Sequence, residues 1–590
     1  MNKSLALFAL LGVVIATGAV APDQQKTIYP DRWLYLDNSS VEVALQSDKD
    51  LEVRLGLIRT AAEHGLTAIV LPGMDRLSLA SPEYLARLSK VKEVADANHM
   101  EIIPEGFGIK YGKPALEIDK NLAEGLLVKD ALFVAKGDTA RFVADSPTKL
   151  VNGGFEEYKG DRFSGFATQD EPGKMTFVDT SVFHSGKASL RIENFGDRKA
   201  VRPVITVTPL DAAGLRDPAM EGVAQVAQEI RVKPYRCYRV SAWVKTEDVK
   251  PAKLFSIKAY TPDGRDLSLF ETLAPSPTSG WRQVTTAFNS WFADRIDLSF
   301  GVFRGVKGKV WVDDVEVEEV GLMNVIRRDG APLTVRDEMT GTVYKEGRDF
   351  AAVSDPNLDF RWTHPMPSIR LLPGGRIHDG ARLRVSYYHG TTIYADDDPE
   401  VPICPSAAKV REIWKQQFPL IEKYLAPKRY FLDIGDEQRA FNRDQSCLRR
   451  KKDASAIAGD TTQWLYDQVH AVNPKAQVLV WSDMFDPNHN AVKKYFLVDG
   501  SLENTWKYLP KDMGIVCWYF DKRRQSLDFF SGHGFKTFAA AGPDSDALEN
   551  PKGWMEDMDT TPGATGIMYT TWSNDFKLLA PFGDLVSKRP

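Results

Sequence analysis

The sequence predicts an α/β fold, a (β/α)8 barrel interrupted after its third strand by a large all-β insertion. Two patterns carry that prediction. Eight short apolar runs of strand length, most of them separated by stretches with helical spacing, lie in the outer parts of the chain. Between the third and fourth runs, nearly three hundred residues show short alternating segments broken by Gly, Pro, Asp and Asn, with no helical period. A doubly wound open sheet would share the first pattern, but no Gly-rich phosphate loop follows the first run.

Taken in order, Trp33 to Leu36 is the first strand and ends at Asp37. Leu51 to Ala62 has helical spacing through Leu51, Leu55 and Ile58, and Gly65 stops it. Thr67 to Leu71 is the second strand. Pro82 opens a helix through Leu85, Leu88 and Val91, and Met100 to Pro104 is the third strand, followed by Glu105. Residues 22–147 therefore hold the first part of the barrel and a connection. Residues 148–320 carry runs such as ASLRIEN, YRVSAWVKT, WRQVTTAF and KVWVDDVEVEEV, which predict a β-sandwich. Trp243 and Trp311 sit inside strand patterns and read as core; Trp281 and Trp291 read equally as core or as sugar-stacking surface. Residues 321–398 form a second, smaller all-β segment with turns RDGAP, LPGGR and HDGAR and a closing strand LRVSYYH.

Residues 399–590 return to the barrel. Helical spacing runs through Val410, Ile413, Trp414, Ile421 and Tyr424, and Tyr430 to Ile434 is the fourth strand. A helix from Thr461 to Val472, capped by Asp460, leads to the fifth strand, Gln477 to Trp481. Gly514 to Tyr519, Lys536 to Ala541 and Gly566 to Thr571 complete the eight.

The chain has 590 residues, 43% hydrophobic and 26% charged, with a formal charge of −5. That charge excludes nucleic acid as the main partner. Met1 to Ala21 reads as a secretory signal, with Lys3, an apolar run from Leu5 to Ile15 and small residues where cleavage after Gly18 or Ala19 fits. The expected protein is exported, periplasmic or secreted, without a membrane span. The four cysteines, Cys237, Cys404, Cys447 and Cys517, read as reduced core residues, with Cys404–Cys447 the pair to choose if one disulfide forms. Their spacing and that of the nine histidines give no metal signature, and no cofactor is predicted.

In such a barrel the active site lies at the carboxyl ends of the strands. The residues there are Asp37, Glu105, the neighbouring pair Asp436 and Glu437, Trp481 and Asp483 with Met484, Trp518 and Tyr519 with Asp521, Asp544, and Tyr569, Trp572 and Asn574. Flat rings stack on the CH faces of sugars while carboxylates hold hydroxyls, so this mixture predicts a carbohydrate pocket. Asp436 and Glu437 are the predicted catalytic pair, because neighbouring carboxylates raise one another's pKa and leave one protonated beside one ionised. Gly435 lets the backbone leave strand geometry just before them.

The Asp-Glu pair, IIPEG at the third strand, VWSDM at the fifth and the closing MYTTWSN resemble glycoside hydrolase family 20 over roughly residues 30–110 and 400–590. The resemblance implies an exo-acting β-N-acetylhexosaminidase in which the substrate's 2-acetamido oxygen is the nucleophile. Carried over, Glu437 would be the general acid/base, Asp436 would orient the acetamido group, and Trp481, Trp518 and Trp572 would wall the sugar. The chain departs from that family's pattern at Leu432-Asp433-Ile434-Gly435, where His-x-Gly-Gly is usual. It also lacks the usual arginine in LYLDNSS and the usual tyrosine in AAAGPDSD, for which Tyr519 and Tyr569 are the candidate replacements. NGGFEEY, HSGKASLRI and VWVDDVEV resemble the jelly-roll carbohydrate-binding modules of families 4 and 9. Two alternatives stay open: a conventional glycosidase with its own carboxylate nucleophile, for which Asp544 is placed, and a non-catalytic glycan-binding protein.

Overall fold

The structure is a computed structural model that describes residues 29–36, 45, 47–110, 112–193, 225–250, 255–268, 270–271, 276–302, 307–392, 394–395, 399–542, 547–571 and 574–588. The predicted secretory signal, Asp37, Asp544 and Trp572 lie outside these residues.

Eight parallel strands close into a barrel: Asp31–Tyr35, Ala68–Leu71, Glu101–Gly106, Arg429–Leu432, Gln477–Trp481, Gly514–Cys517, Lys536–Ala541 and Ala564–Tyr569. The third and fourth strands pair directly across the insertion, Phe431 opposite Glu105 and Leu432 opposite Gly106. The first and eighth strands close the ring. Because strand side chains alternate, one set fills the barrel: Trp33, Tyr35, Val70, Ile103, Phe431, Leu479, Trp481, Val516, Phe538 and Met568 among them. The intervening residues, such as Leu34, Ile69, Leu432, Val480 and Ile567, pack outward against the helices.

Those helices begin where the chemistry allows. Ser47 accepts the Asp50 N–H to open Asp48–Glu63, and Ser81 does the same for Pro82–Ala97, with Pro82 in its first turn. The helix before the fifth strand is longer than the sequence suggests. It spans Ala454–Val472 with Asp453 as its cap, and Asp460 lies inside it, paired with Arg450 and Lys452. The connection from the fifth to the sixth strand carries 3-10 turns, Asp483–Phe485 and Thr505–Tyr508, and no α-helix.

The insertion is all β in its sheets. Leu126–Lys136 pairs antiparallel with Arg382–His389 and with Thr139–Phe142 in a seven-stranded sheet. Residues 126–142, which the sequence places in the connection, thus join strands on the far side of the sandwich, more than two hundred positions further along the chain. Inside that frame lie a five-stranded and a four-stranded antiparallel sheet. Trp311 is buried but not between them: it stands opposite Lys245, on the face away from the inward-facing Val310 and Val312, where its Nε1 donates to Asp179 at 2.9 Å and its ring lies 5.0 Å from the Lys245 ammonium. Trp243 is not core: in Cys237–Lys250, Ala242 and Val244 face inward, which turns Trp243 outward. Its ring stacks on His184 at 3.9 Å and helps line a groove with Gln283 and Glu316. Trp291 is buried at the seam with the barrel, under the guanidinium of Arg443 at 3.7 Å and near that of Arg265 at 4.9 Å.

Candidate active site

The inward register of the barrel delivers acids and indoles to the carboxyl end. Two residues beyond Ile103 stands Glu105, two beyond Leu479 stands Trp481, and two beyond Val516 stands Trp518. Glu105 accepts the Tyr35 hydroxyl at 3.1 Å and the Trp481 indole N–H at 3.1 Å. Burial pushes its carboxyl up to about 8 against those two donors, and the Asp436 charge adds to the rise. Trp481 is itself buried and packs edge-on to Tyr35 at 5.8 Å, so it holds Glu105 in place rather than standing open as a wall.

The fourth strand ends in a 3-10 turn, Asp433–Gly435. A Cβ at position 435 would sit 2.1 Å from the Trp481 carbonyl oxygen, so only glycine lets the ends of the fourth and fifth strands approach this closely. The chain then leaves strand geometry, and Glu437 takes a left-handed φ of 29°, costly for a residue with a Cβ. Asp483 holds that conformation. Its buried carboxylate accepts the Glu437 backbone N–H at 2.8 Å, the Asn490 amide at 3.2 Å and the Trp518 indole at 3.3 Å.

Two buried cations sit among these acids. Lys110 Nζ lies 2.8 Å from Glu437 Oε2 and 3.3 Å from Asp436 Oδ2. Arg439 Nη2 lies 2.5 Å from the same Glu437 oxygen. The consequence is an opposed pair. Burial works to raise the Glu437 carboxyl, but Arg439 and Lys110 outweigh it and hold the group well below the usual carboxylate range. At Asp436 burial wins, with the Glu437 charge adding to it, and the pKa is raised despite Lys110. Burial and the Asp436 charge also push Asp483 well up, and burial with Glu105 and Asp436 does the same to Asp433. Of the two, Glu437 is therefore the readier to ionise and Asp436 the readier to keep a proton. That is the reverse of the roles implied by the family 20 resemblance.

Several site residues escape sequence reasoning. Lys110 and Arg439 come from irregular segments that give no direction to their side chains. His489 is buried, stacks on Tyr519 at 4.6 Å, and has no hydrogen-bond partner on either ring nitrogen; burial lowers its pKa to about 4. The buried Tyr495 hydroxyl is likewise unpaired; burial raises its pKa well above the usual phenol value, with the Glu437 charge adding and Arg439 opposing. Unpaired buried polar groups around one carboxylate mark places where a ligand's hydroxyls can complete the network. Glu400, on the returning edge of the insertion, is pushed up to about 7 by burial, with Lys110 and Arg439 opposing and Asp436 and Glu437 adding.

Of the residues predicted for the site, Glu105, Asp436, Glu437, Trp481, Asp483, Trp518 and Tyr519 converge at this end of the barrel. Tyr569 does not. Met568 points into the barrel, so Tyr569 points out, where its hydroxyl donates to the Asp575 carbonyl at 2.7 Å and its ring meets Phe582. Asn574 is exposed in a left-handed conformation. No helix among the described residues is long and apolar enough to cross a membrane.

No family model matches the sequence. No curated protein matches it either. Among solved structures, a rhamnosidase from Novosphingobium sp. PP1Y is 12% identical, with 92% of this chain and 55% of that chain covered at a TM-score of 0.30. A GH20 exo β-N-acetylglucosaminidase from Vibrio harveyi, solved as an inactive mutant, is 12% identical over 33% of this chain and 34% of that one, with a TM-score of 0.23. A family 4 carbohydrate-binding module is 16% identical and is covered over 99% of its length by 29% of this chain, with a TM-score of 0.20.

Proposed function

We propose that the protein is a glycoside hydrolase working at the carboxyl end of the barrel, with Asp436 and Glu437 as its two catalytic carboxyls. The observation that supports this best is two buried carboxyls on one cation, Lys110, 3.3 Å from Asp436 and 2.8 Å from Glu437, with their pKa values pushed in opposite directions. Cleaving a glycosidic bond requires a proton for the leaving oxygen and a negative charge beside an oxocarbenium-like carbon. In this reading Asp436 supplies the first and Glu437 the second. Trp518 and Tyr519 offer ring faces to the sugar, and His489 and Tyr495 offer unpaired polar atoms to its hydroxyls.

The finer reading is exo action on a 2-acetamido sugar. The acetamido oxygen would attack the anomeric carbon, and Glu437 would face the positive oxazolinium-like intermediate that forms. The predicted signal over residues 1–21 would place this activity outside the cytoplasm.

The test is hydrolysis of aryl glycosides with and without the 2-acetamido group, across leaving groups of different acidity. Glu437→Gln should lose roughly 10²–10⁴-fold in rate on every leaving group. Asp436→Asn should lose as much on poor leaving groups and far less on acidic phenols, which depart without a proton. The opposite pattern assigns the acid to Glu437, and no turnover by folded wild-type protein sinks the hydrolase reading. A thiazoline analogue of the cyclised acetamido group separates the finer reading: inhibition no better than by a plain sugar analogue removes it, and azide rescue of Asp544→Ala would point to an enzyme nucleophile there.

A second reading has one observation in its favour. Lys110 and Arg439 both occupy Glu437 Oε2, as in a binding site that keeps its carboxylate paired. Glycan binding without turnover would select it.

A further inference from the structure

We propose that Glu124, Cys404 and Cys447 form a structural zinc site where the all-β insertion leaves and rejoins the barrel. The three residues come from separate segments: Glu124 precedes the strand Leu126–Lys136, Cys404 precedes the helix Ala408–Leu425, and Cys447 lies in the short helix Gln445–Leu448 after the fourth barrel strand. All three side chains are fully buried. One carboxylate oxygen and the two sulfurs lie within 4.8 Å of one another.

Geometry and hydrogen bonding both point to an ion. The sulfurs are 3.6 Å apart. Two thiolates bound tetrahedrally at a zinc–sulfur distance of about 2.3 Å stand about 3.8 Å from each other, whereas a disulfide brings them to about 2.05 Å. Glu124 Oε1 is fixed by the backbone N–H groups of Arg443 at 2.6 Å and Asp444 at 3.2 Å. Glu124 Oε2 is buried with no partner. A disulfide has no proton to give that oxygen, and the two thiols face other acceptors, Asp444 Oδ1 at 3.4 Å and Ser406 Oγ at 3.2 Å, whereas a cation satisfies it. Asp444 stands beside these three, its Oδ1 accepting the Ser446 N–H at 2.8 Å and lying 3.4 Å from Cys404 Sγ, and the fourth position would fall to water. Two thiolates and the Glu124 carboxylate against Zn²⁺ leave one negative charge, beside the neutral Arg328–Asp444 ion pair. Thiolate ligands select a borderline-soft ion over calcium or magnesium. Binding would release the two thiol protons to solvent.

The test uses the whole chain, purified without chelators and dialysed against Zn²⁺, then stripped and reloaded with Co²⁺. One equivalent of zinc by mass spectrometric metal analysis is expected, together with thiolate-to-cobalt charge-transfer absorption and the intense visible bands of tetrahedral Co²⁺. Glu124→Gln and Cys447→Ser should each weaken metal retention at least 10-fold, and chelation should lower the Tm of the wild type but not of the variants. If a variant fails to fold, the wild-type metal content decides alone. Folded wild type that retains no stoichiometric zinc and titrates as four free thiols in denaturant overturns the proposal. So does an intact mass lower by two hydrogens that reduction restores, which would mean a Cys404–Cys447 disulfide.

Discussion

Lys110→Met tests the electrostatic core of the site. Its ammonium lies 2.8 Å from Glu437 and 3.3 Å from Asp436 and is 5% exposed, so solvent screens it little. An opposite charge at this range lowers a carboxyl by roughly 1–3 pKa units, each worth about 1.36 kcal/mol. Arg439 stays on Glu437, so the shift there should be roughly 1–2 units, or about 1.4–2.7 kcal/mol. The sign follows from which form each group must hold. The acid limb of kcat/KM reports ionisation of Glu437, whose pKa is depressed in the wild type, and losing a cation moves that limb to higher pH. The basic limb reports deprotonation of Asp436, whose pKa is already raised, and it moves up as well. The whole profile should therefore slide upward rather than narrow. Lys110→Arg, which keeps the charge, should leave both limbs in place. The assay is kcat/KM against pH on the best aryl glycoside. A Lys110→Met profile that superimposes on wild type with turnover retained would refute the reasoning, because the one cation that touches both carboxyls would then not shift the ionisation of either.

Three other outcomes follow from particular contacts. Gly435→Ala puts a Cβ 2.1 Å from the Trp481 carbonyl oxygen and should destabilise the fold by about 1–3 kcal/mol, read as a lower denaturant midpoint at unchanged slope. Tyr569→Phe removes a hydrogen bond to the Asp575 carbonyl and should cost about 1 kcal/mol in stability while leaving kcat/KM unchanged; a large loss of activity would return Tyr569 to the site. Trp243→Ala should weaken retention on an immobilised polysaccharide by about 1 kcal/mol, roughly fivefold, with little change in Tm because the ring is half-buried on the outer face; unchanged retention would remove the groove as a glycan surface.

The barrel strands were legible because each is an apolar run that must fill two faces, one toward the barrel interior and one toward the helices. A run such as QVLVW satisfies both and nothing longer. The helix start at Ala454 was not legible, because ASAIAG is small and apolar all round and shows no spacing until Thr461. The partnership of Leu126–Lys136 with Arg382–His389 was hidden for a different reason: alternation reveals a strand but not which distant strand completes it. At the site, acids and indoles at strand ends could be found by counting. Tyr569 shows where counting was not carried far enough, since parity from Ile567 through Met568 already turns it outward. Lys110, Arg439, His489 and Tyr495 lie on irregular backbone, where no period assigns a direction and only the folded chain shows what they face.

The place of the insertion bears on the chemistry. A segment inserted after the third strand of such a barrel leaves and returns at the carboxyl end, where the acids gather. Its two ends lie side by side: Gly112 N–H donates to the Val401 carbonyl at 3.2 Å, and Ile403 N–H donates to the Ile109 carbonyl at 3.0 Å. These bonds bracket Lys110 on the outgoing end and bring Glu400 in on the returning one. Lys110 pulls down the pKa of both Asp436 and Glu437, and burial raises Glu400 to about 7, with Lys110 opposing and the two acids adding. The charges that would make one carboxyl a donor and its neighbour an anion are thus held by the base of the insertion as much as by the barrel. A change that loosened that base would first be felt as a shift in the pH profile, before any loss of the sandwich or the barrel themselves.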